Sequence, residues 1–265
     1  MLDFLLHIPV WMGISILGSF FAGAGLVVVL TMKKILQSRI TKQHEKVGRV
    51  IFRVTAGLIA LLISLSYANE RVNQSKIMDS IEVETSMIVN VLKGLNIIDT
   101  PESKEIILLL QQYILETLEE EWKEIDDNPY FSDANLKMHL AYDKLIQLKT
   151  ETKTEYQLKI LMIKELNEVS KLSQIKIYSR ITHVPYLIYI LTIGLFFMWI
   201  FFTVYRLDFV ALLFLSLYNI LIAILIYFVF MLSNPFMGPM KIEPYPFKIL
   251  KSKAMDTEYV QNRIQ

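Results

Sequence analysis

Thr55, Ile59, Leu62, Ser66, Asn69 and Asn73 recur every three or four positions through an apolar stretch of the 265-residue chain, which places them on one face of a helix. Along that face they read hydroxyl, apolar, apolar, hydroxyl, amide, amide. None of them titrates. Hydroxyls, amides and backbone dipoles can replace part of an ion's hydration shell, and an apolar neck can gate by dewetting, so the stripe suits passive passage of small inorganic ions. The same pattern also fits an ordinary buried helix emerging into water.

The residues that would support other chemistry are scattered or absent. His7, His44, His139 and His183 lie far apart and form no HExxH pair. His139 and Asp143 share a helix face as a surface pair. Glu119-Glu120-Glu121 and Asp126-Asp127 read as a solvated acidic face. There is no phosphate-binding glycine loop and no GxSxG nucleophile motif. The chain has no cysteine, which removes disulfides, thiolate metal sites and cysteine nucleophiles together. We therefore expect no catalytic, cofactor-binding or metal-binding residues, and not an enzyme. A net charge of +1 with no strongly basic domain argues against a nucleic-acid partner.

What must position the stripe is a membrane scaffold. Of the residues, 54% are hydrophobic and 20% charged, with mean hydropathy +0.42, too apolar for a soluble domain of this length. Four stretches almost free of charge, residues 10–32, 50–69, 184–205 and 209–232, are each long enough to cross a ~30 Å hydrocarbon core as a helix. Their interiors hold no acid, base or histidine, which speaks against a proton-coupled carrier, a pump or an intramembrane aspartyl protease. Arg53 lies within a turn of one span's start and can snorkel. No Lys or Arg precedes Lys33, so the first stretch reads as a retained span rather than a cleaved signal peptide.

Charge is distributed unevenly. The loop from Lys33 to Arg53 has seven basic and one acidic residue, for +6. Residues 70–180 have 14 basic and 20 acidic, for −6. The tail after Leu232 carries +2. The positive-inside rule puts the basic loop in the cytoplasm, and the acidic middle region and both termini outside.

Small residues mark packing faces in the first two spans. Gly18/Ala22 and Ser19/Gly23 sit four apart, and Ala56, Ala60, Ser64 and Ala68 form a stripe where helices can approach closely, within one subunit or around a shared axis. Asn219, the one strongly polar group of the fourth span, suits an interhelical hydrogen bond. The second span continues past the bilayer as one helix, with Gly94 as its C-cap. Asp99-Thr100-Pro101-Glu102 starts another helix, carrying Ile106, Leu109, Leu110, Tyr113, Leu118, Trp122 and Ile125 and stopped by Asp127-Asn128-Pro129. Ser132 caps a shorter helix with Leu136, Leu140 and Ile146. A last one over residues 151–180, with Leu158, Leu161, Met162, Leu166, Val169 and Leu172, leads to His183-Val184-Pro185 and the third span. The expected fold is an all-α membrane protein. It has four transmembrane helices, a helical stalk over residues 70–182 between spans two and three, and a Pro/Gly-rich tail over residues 233–265.

Four pieces of sequence carry a resemblance. They are His44-Glu45 with Gly48, then Glu121-Trp122, then Leu166-Asn167-Glu168. The most specific is Asn234, Pro235, Phe236 and Gly238 in the turn after the fourth span. With these the chain resembles the bestrophin-like family, four-span bacterial membrane proteins related to the pentameric bestrophin anion channels. The resemblance covers nearly the whole chain. It implies an integral, multi-pass protein of the bacterial inner membrane, a homo-oligomer in the lipid bilayer, with the second helix lining an ion pore that, by the kinship to bestrophins, conducts anions. Bestrophins follow that turn with an acidic run that helps clasp calcium. Here Met237 to Ile242 contains no acid, so calcium gating does not carry over. Bestrophins also hold their large domain in the cytosol, the opposite of the charge-based orientation. The alternative function is a non-conducting anchor whose acidic stalk recruits a partner protein.

Overall fold

A computed structural model of the chain describes residues 3–36, 39–122, 133–179 and 185–252, and every regular element among them is helical. A single 3₁₀ turn, Asp3–Leu6, precedes α1 (Val10–Leu36). Then come α2 (Lys42–Ile98), α3 (Pro101–Glu116), α4 (Asp133–Gln147), α5 (Lys153–Tyr178), α6 (Tyr186–Phe202) and α7 (Phe209–Leu232), followed by a helical segment at 245–252. The chain divides into two compact units. The first comprises Met1–Gln74 and Thr182–Met240, the second Ser75–Ile181 and Lys241–Gln265. The 57-residue α2 contributes to both.

In the first unit, α1, α2 and α7 are long and apolar enough to cross a membrane, whereas the apolar α6 has only 17 residues. Its core is an apolar cluster of Phe21, Val29, Ile59, Leu195, Trp199, Ile226 and their neighbours. The buried face of α1 is Gly13, Gly18, Phe21, Gly25 and Val29, not the Ser19/Gly23 face expected from four-residue spacing; Ser19 and Gly23 are exposed. The side chains of α7 decide the matter. A Cβ on Gly13 would stand 2.5 Å from the Tyr227 ring, one on Gly18 would touch Ile220, and one on Gly25 would overlap the Asn219 amide, while Gly23 has open space. Asp208 ends the α6–α7 turn by accepting from the Ala211 N–H at 2.8 Å, an N-cap for α7.

In the second unit, α2 does not end at Gly94. The helix runs to Ile98, and Asp99 takes the left-handed conformation at φ 46°. Gly94 is instead a crossing point with α5, where a Cβ would lie 2.6 Å from the Met162 sulfur. Thr100 caps α3 in a reciprocal box with Ser103, and Pro101 fills the first turn. Ile106, Leu110 and Tyr113 are buried as their spacing requires, and one wider turn, Thr117–Glu121, leads to buried Trp122. On α4 the expected apolar residues Leu136, Leu140 and Ile146 are exposed, and so is Leu161 on α5. The packed stripe of α4 is Ala134, Met138, Ala141 and Leu145, because small residues let α4 lie close against its neighbours. At the start of α5, the Glu151 N–H and then the Thr152 hydroxyl hold the Glu155 carboxyl below its ordinary pKa. Ile125, Asp126, Asp127, Asn128, Pro129, Ser132, Arg180, His183 and Val184 lie outside the described residues.

Candidate functional site

The first-unit part of α2 presents two different faces. Ile59 and Ser66 are buried, Thr55 and Leu62 are half-buried, and Asn69 and Asn73 are exposed. The named stripe thus starts against the subunit's own helices, with Ile59 packed on Gly194 of α6, and comes out onto the open side. Of the small residues, Ala56 is half-buried while Ala60, Ser64 and Ala68 are exposed. Beside them Leu58, Leu61 and Leu65 are also uncovered. The apolar stretch of α2 is the least covered of the three long apolar helices.

Asn219 holds the helices behind α2 together. It is fully buried, accepts from the Trp199 indole N–H at 2.9 Å, and faces Gly25 of α1. One amide therefore sits where α1, α6 and α7 meet. Its geometry is that of interhelical glue, worth about 0.5–2 kcal/mol in lipid.

The turn after α7 is tied back at several points. Asn234 donates its amide to the Phe230 carbonyl at 2.8 Å, and the Ser233 hydroxyl donates to Val229 at 2.6 Å. Pro235 and Phe236 are buried. Gly238 has φ +75°, in close quarters with Met231 and Leu6, which explains glycine there. Two residues on, the Met240 carbonyl accepts from Gln74 of α2 at 3.4 Å, and Arg71 bonds the Gln74 side chain at 2.7 Å. The turn thereby holds α2 just beyond Asn69 and Asn73.

At the other end of the unit, Lys33 donates to the Thr203 and Tyr205 carbonyls at 2.8 and 3.1 Å, satisfying groups that the end of α6 leaves open. Phe52, Phe202 and Tyr205 form an aromatic cluster, and the Arg49 guanidinium lies 5.9 Å from the Tyr205 ring centre. Replacing Lys33 with methionine is expected to lower stability by about 2 kcal/mol, since hydrogen bonds from a charged donor contribute about 1.5–3 kcal/mol. Thermal unfolding in detergent measures this; an unchanged transition would contradict the capping role.

The second unit has a polar centre of its own. Lys176 and Glu84, each with 1% of its side chain exposed, pair at 3.2 Å. The Tyr113 hydroxyl donates to the same carboxylate. Around the ammonium stand the rings of Phe247, Tyr113 and Trp122, at 4.8, 5.8 and 5.9 Å. The Trp122 N–H donates to the Ile242 carbonyl at 3.1 Å. This cluster joins α2, α3, α5 and the C-terminal segment. Sequence reading missed its ion pair. The signal was a charge in an apolar register: Glu84 falls between Ile81 and Ile88, and Lys176 continues Leu166, Val169 and Ser173.

No group of three or more His, Asp or Glu able to hold a metal ion occurs among the described residues. What the first unit offers is a helix that carries no charge between Arg53 and Glu70, open on one side and held by packing and hydrogen bonds on the other.

Residues 19–247 match the Bestrophin-like domain. The chain belongs to the Bestrophin-like family. Its fold is also that of a bacterial Bestrophin homolog from Klebsiella pneumoniae. Two crystal structures of variants of that protein align with TM-scores of 0.67 and 0.64, each at 13% identity. The first alignment covers 92% of this chain and 98% of the other, and the second covers 90% and 97%. A third variant aligns with a TM-score of 0.58 at 14% identity. At this identity the likeness shows the fold. No curated protein sequence matches the chain. The Bestrophin-like fold and three long apolar helices fit an integral membrane protein.

Proposed function

We propose that the protein is an oligomeric ion channel in which the first-unit part of α2 lines the pore. The observation that carries this reading is the open face of α2. In a Bestrophin-like chain, one apolar helix keeps Ala60, Ser64 and Ala68 uncovered beside Leu58, Leu61 and Leu65, with Asn69 and Asn73 following. Small residues permit close approach of copies around an axis. Apolar residues followed by amides supply a neck and then a wetter vestibule. Leu62, half-buried at the edge of the packed face, and Ser66, buried within it, set how the neck packs. The exposed Leu136, Leu140, Ile160 and Leu161 of the second unit are surface that further copies would cover.

In this reading α6 is the third of four spans. Its 17 residues reach about 26 Å at ~1.5 Å per residue, near the lower limit for a crossing. The protein is multi-pass, in the inner membrane of a bacterium. Anion preference follows only from the relation to bestrophins. Imaging of the full chain in nanodiscs tests the assembly. A closed ring with α2 around an axial cavity is expected. A monomer or dimer with no cavity would favour the anchor, as would a co-purifying partner lost on deleting residues 100–150. Within the channel, Leu62→Ala and Ser66→Ala are expected to change conductance or ion selectivity severalfold; if neither responds, α2 does not line the pore.

A further inference from the structure

The outward faces of α1, α6 and α7 sort their aromatic rings by chemistry. Lys33 reaches Thr203 and Tyr205, and Gly25 meets Trp199, so α1 and α6 run in the same direction and start at the same end of the first unit. In the first turns at that end stand Trp11, Tyr186 and Tyr189, exposed by 69%, 87% and 57%. Among the described residues of these three helices no other Trp or Tyr is exposed: Trp199 and Tyr227 are buried and Tyr218 is half-buried. Exposed phenylalanines follow no such rule. Phe20 and Phe197 lie well inside their helices, and Phe209 begins α7 at the opposite end.

These rings turn away from the unit's own core. On α6, Tyr186, Ile190, Ile193 and Phe197 follow at steps of four, three and four, on the side opposite the buried Leu191, Leu195 and Met198. None of the three anchoring positions lies on α2, whose open face the proposed pore takes. The spacing along the helices fits a bilayer. Trp11 lies about 33 Å from Lys33 along α1, and Tyr186 about 26 Å from Thr203 along α6. The two lengths bracket a ~30 Å hydrocarbon core. With Lys33 and Thr203 near one surface of that core, the three rings stand near the other.

We propose that Trp11, Tyr186 and Tyr189 anchor this end of the unit at the boundary between the headgroups and acyl chains of one leaflet. An indole or phenol ring buries its apolar body among the upper acyl chains and keeps its N–H or O–H in the wet layer above. A phenylalanine has no group that needs water, so it is tolerated at mid-depth. The confinement of polar-tipped rings to one level separates a lipid boundary from contact with another protein. A protein partner would accept such rings at any height where it offered a hydrogen-bond acceptor; a bilayer accepts them at the boundary. The proposal does not depend on the channel reading, because it concerns helix faces that the pore does not use.

The test reconstitutes the full chain in phosphatidylcholine liposomes and reads tryptophan fluorescence. The acyl chains carry bromine, which quenches an indole on contact, either near the headgroup or near the chain end. The Trp11→Phe variant separates the share of Trp11 from that of the buried Trp122 and Trp199. Trp11 is expected to be quenched about twofold more by shallow bromine than by deep bromine. Tyr186→Phe/Tyr189→Phe, which removes only two hydroxyls, should bring that ratio close to one as the rings sink. Tyr156→Phe, at an exposed position of α5 in the second unit, should leave it unchanged. If the double variant does not fold, the ratio in the unaltered chain decides. Equal or stronger quenching by deep bromine would overturn the proposal. So would no quenching at all, the result for a Trp11 in water or under another copy of the chain, and so would a ratio that the folded double variant leaves unmoved.

Discussion

Replacing Lys176 with methionine is expected to unfold the second unit at a temperature about 10 °C lower, a loss of about 3–5 kcal/mol. The Glu84 carboxylate would then stay buried with its cation gone, and a neutral hydroxyl such as that of Tyr113 does not compensate a full charge. Contacts of the ammonium with three rings are lost as well, each worth about 0.5–2 kcal/mol. The C-terminal segment should loosen too, since Phe247 sits over that ammonium. The double variant Glu84→Leu/Lys176→Met is expected to recover most of the loss, because a well-packed apolar pair costs no desolvation. Lys171→Met, which breaks an exposed pair with Glu168, should change stability by about 0.5 kcal/mol or less. Thermal unfolding of the purified chain, followed by circular dichroism, separates these. A Lys176 variant as stable as the parent would show that the pair is not what holds the cluster.

Gly25→Leu is expected to have a comparable effect in the first unit. A side chain at this position enters the space of the Asn219 amide and meets Trp199 at about van der Waals contact or closer. It breaks the Trp199–Asn219 hydrogen bond and pushes α1 away from α7. Overpacking of this kind costs about 1–3 kcal/mol, and the lost intramembrane bond adds about 0.5–2. The sum, about 3 kcal/mol, should appear as a large drop in the yield of monodisperse protein and in its unfolding temperature. Gly23→Leu, which faces open space on the same helix, should stay within about 0.5 kcal/mol of the parent. Equal tolerance of the two substitutions would mean that α1 and α7 do not approach as described.

The contrast between those two glycines shows what was legible in the sequence. Apolar runs alone gave α1, α2 and α7, and the cap Thr100-Pro101 gave α3, because hydropathy and capping are local. The face of α1 that packs was not legible. Gly18, Ser19, Ala22 and Gly23 all satisfy a four-residue spacing, and only Tyr227 and Asn219, some 200 positions away, select Gly13 and Gly25. Gly94 failed for the same reason: a glycine near a helix end looks like a cap until Met162 of another helix is seen pressed against it. On α4, large exposed leucines outweighed Ala134 and Ala141 in the pattern although the small residues make the contact. The stripe from Thr55 to Asn73 was readable as a stripe, but its division between a buried start and an exposed end depends on Gly194 and the other neighbours of α2. The Glu84–Lys176 pair left a trace in each helix; only the fold joins the two halves.

Ion flux decides the central claim most directly. The full chain is reconstituted into liposomes, and its folded, oligomeric state in the membrane is established before recording. The account predicts conductance above that of empty vesicles, altered by Leu62→Ala or Ser66→Ala. A folded oligomer that passes no more ions than bare lipid would contradict it.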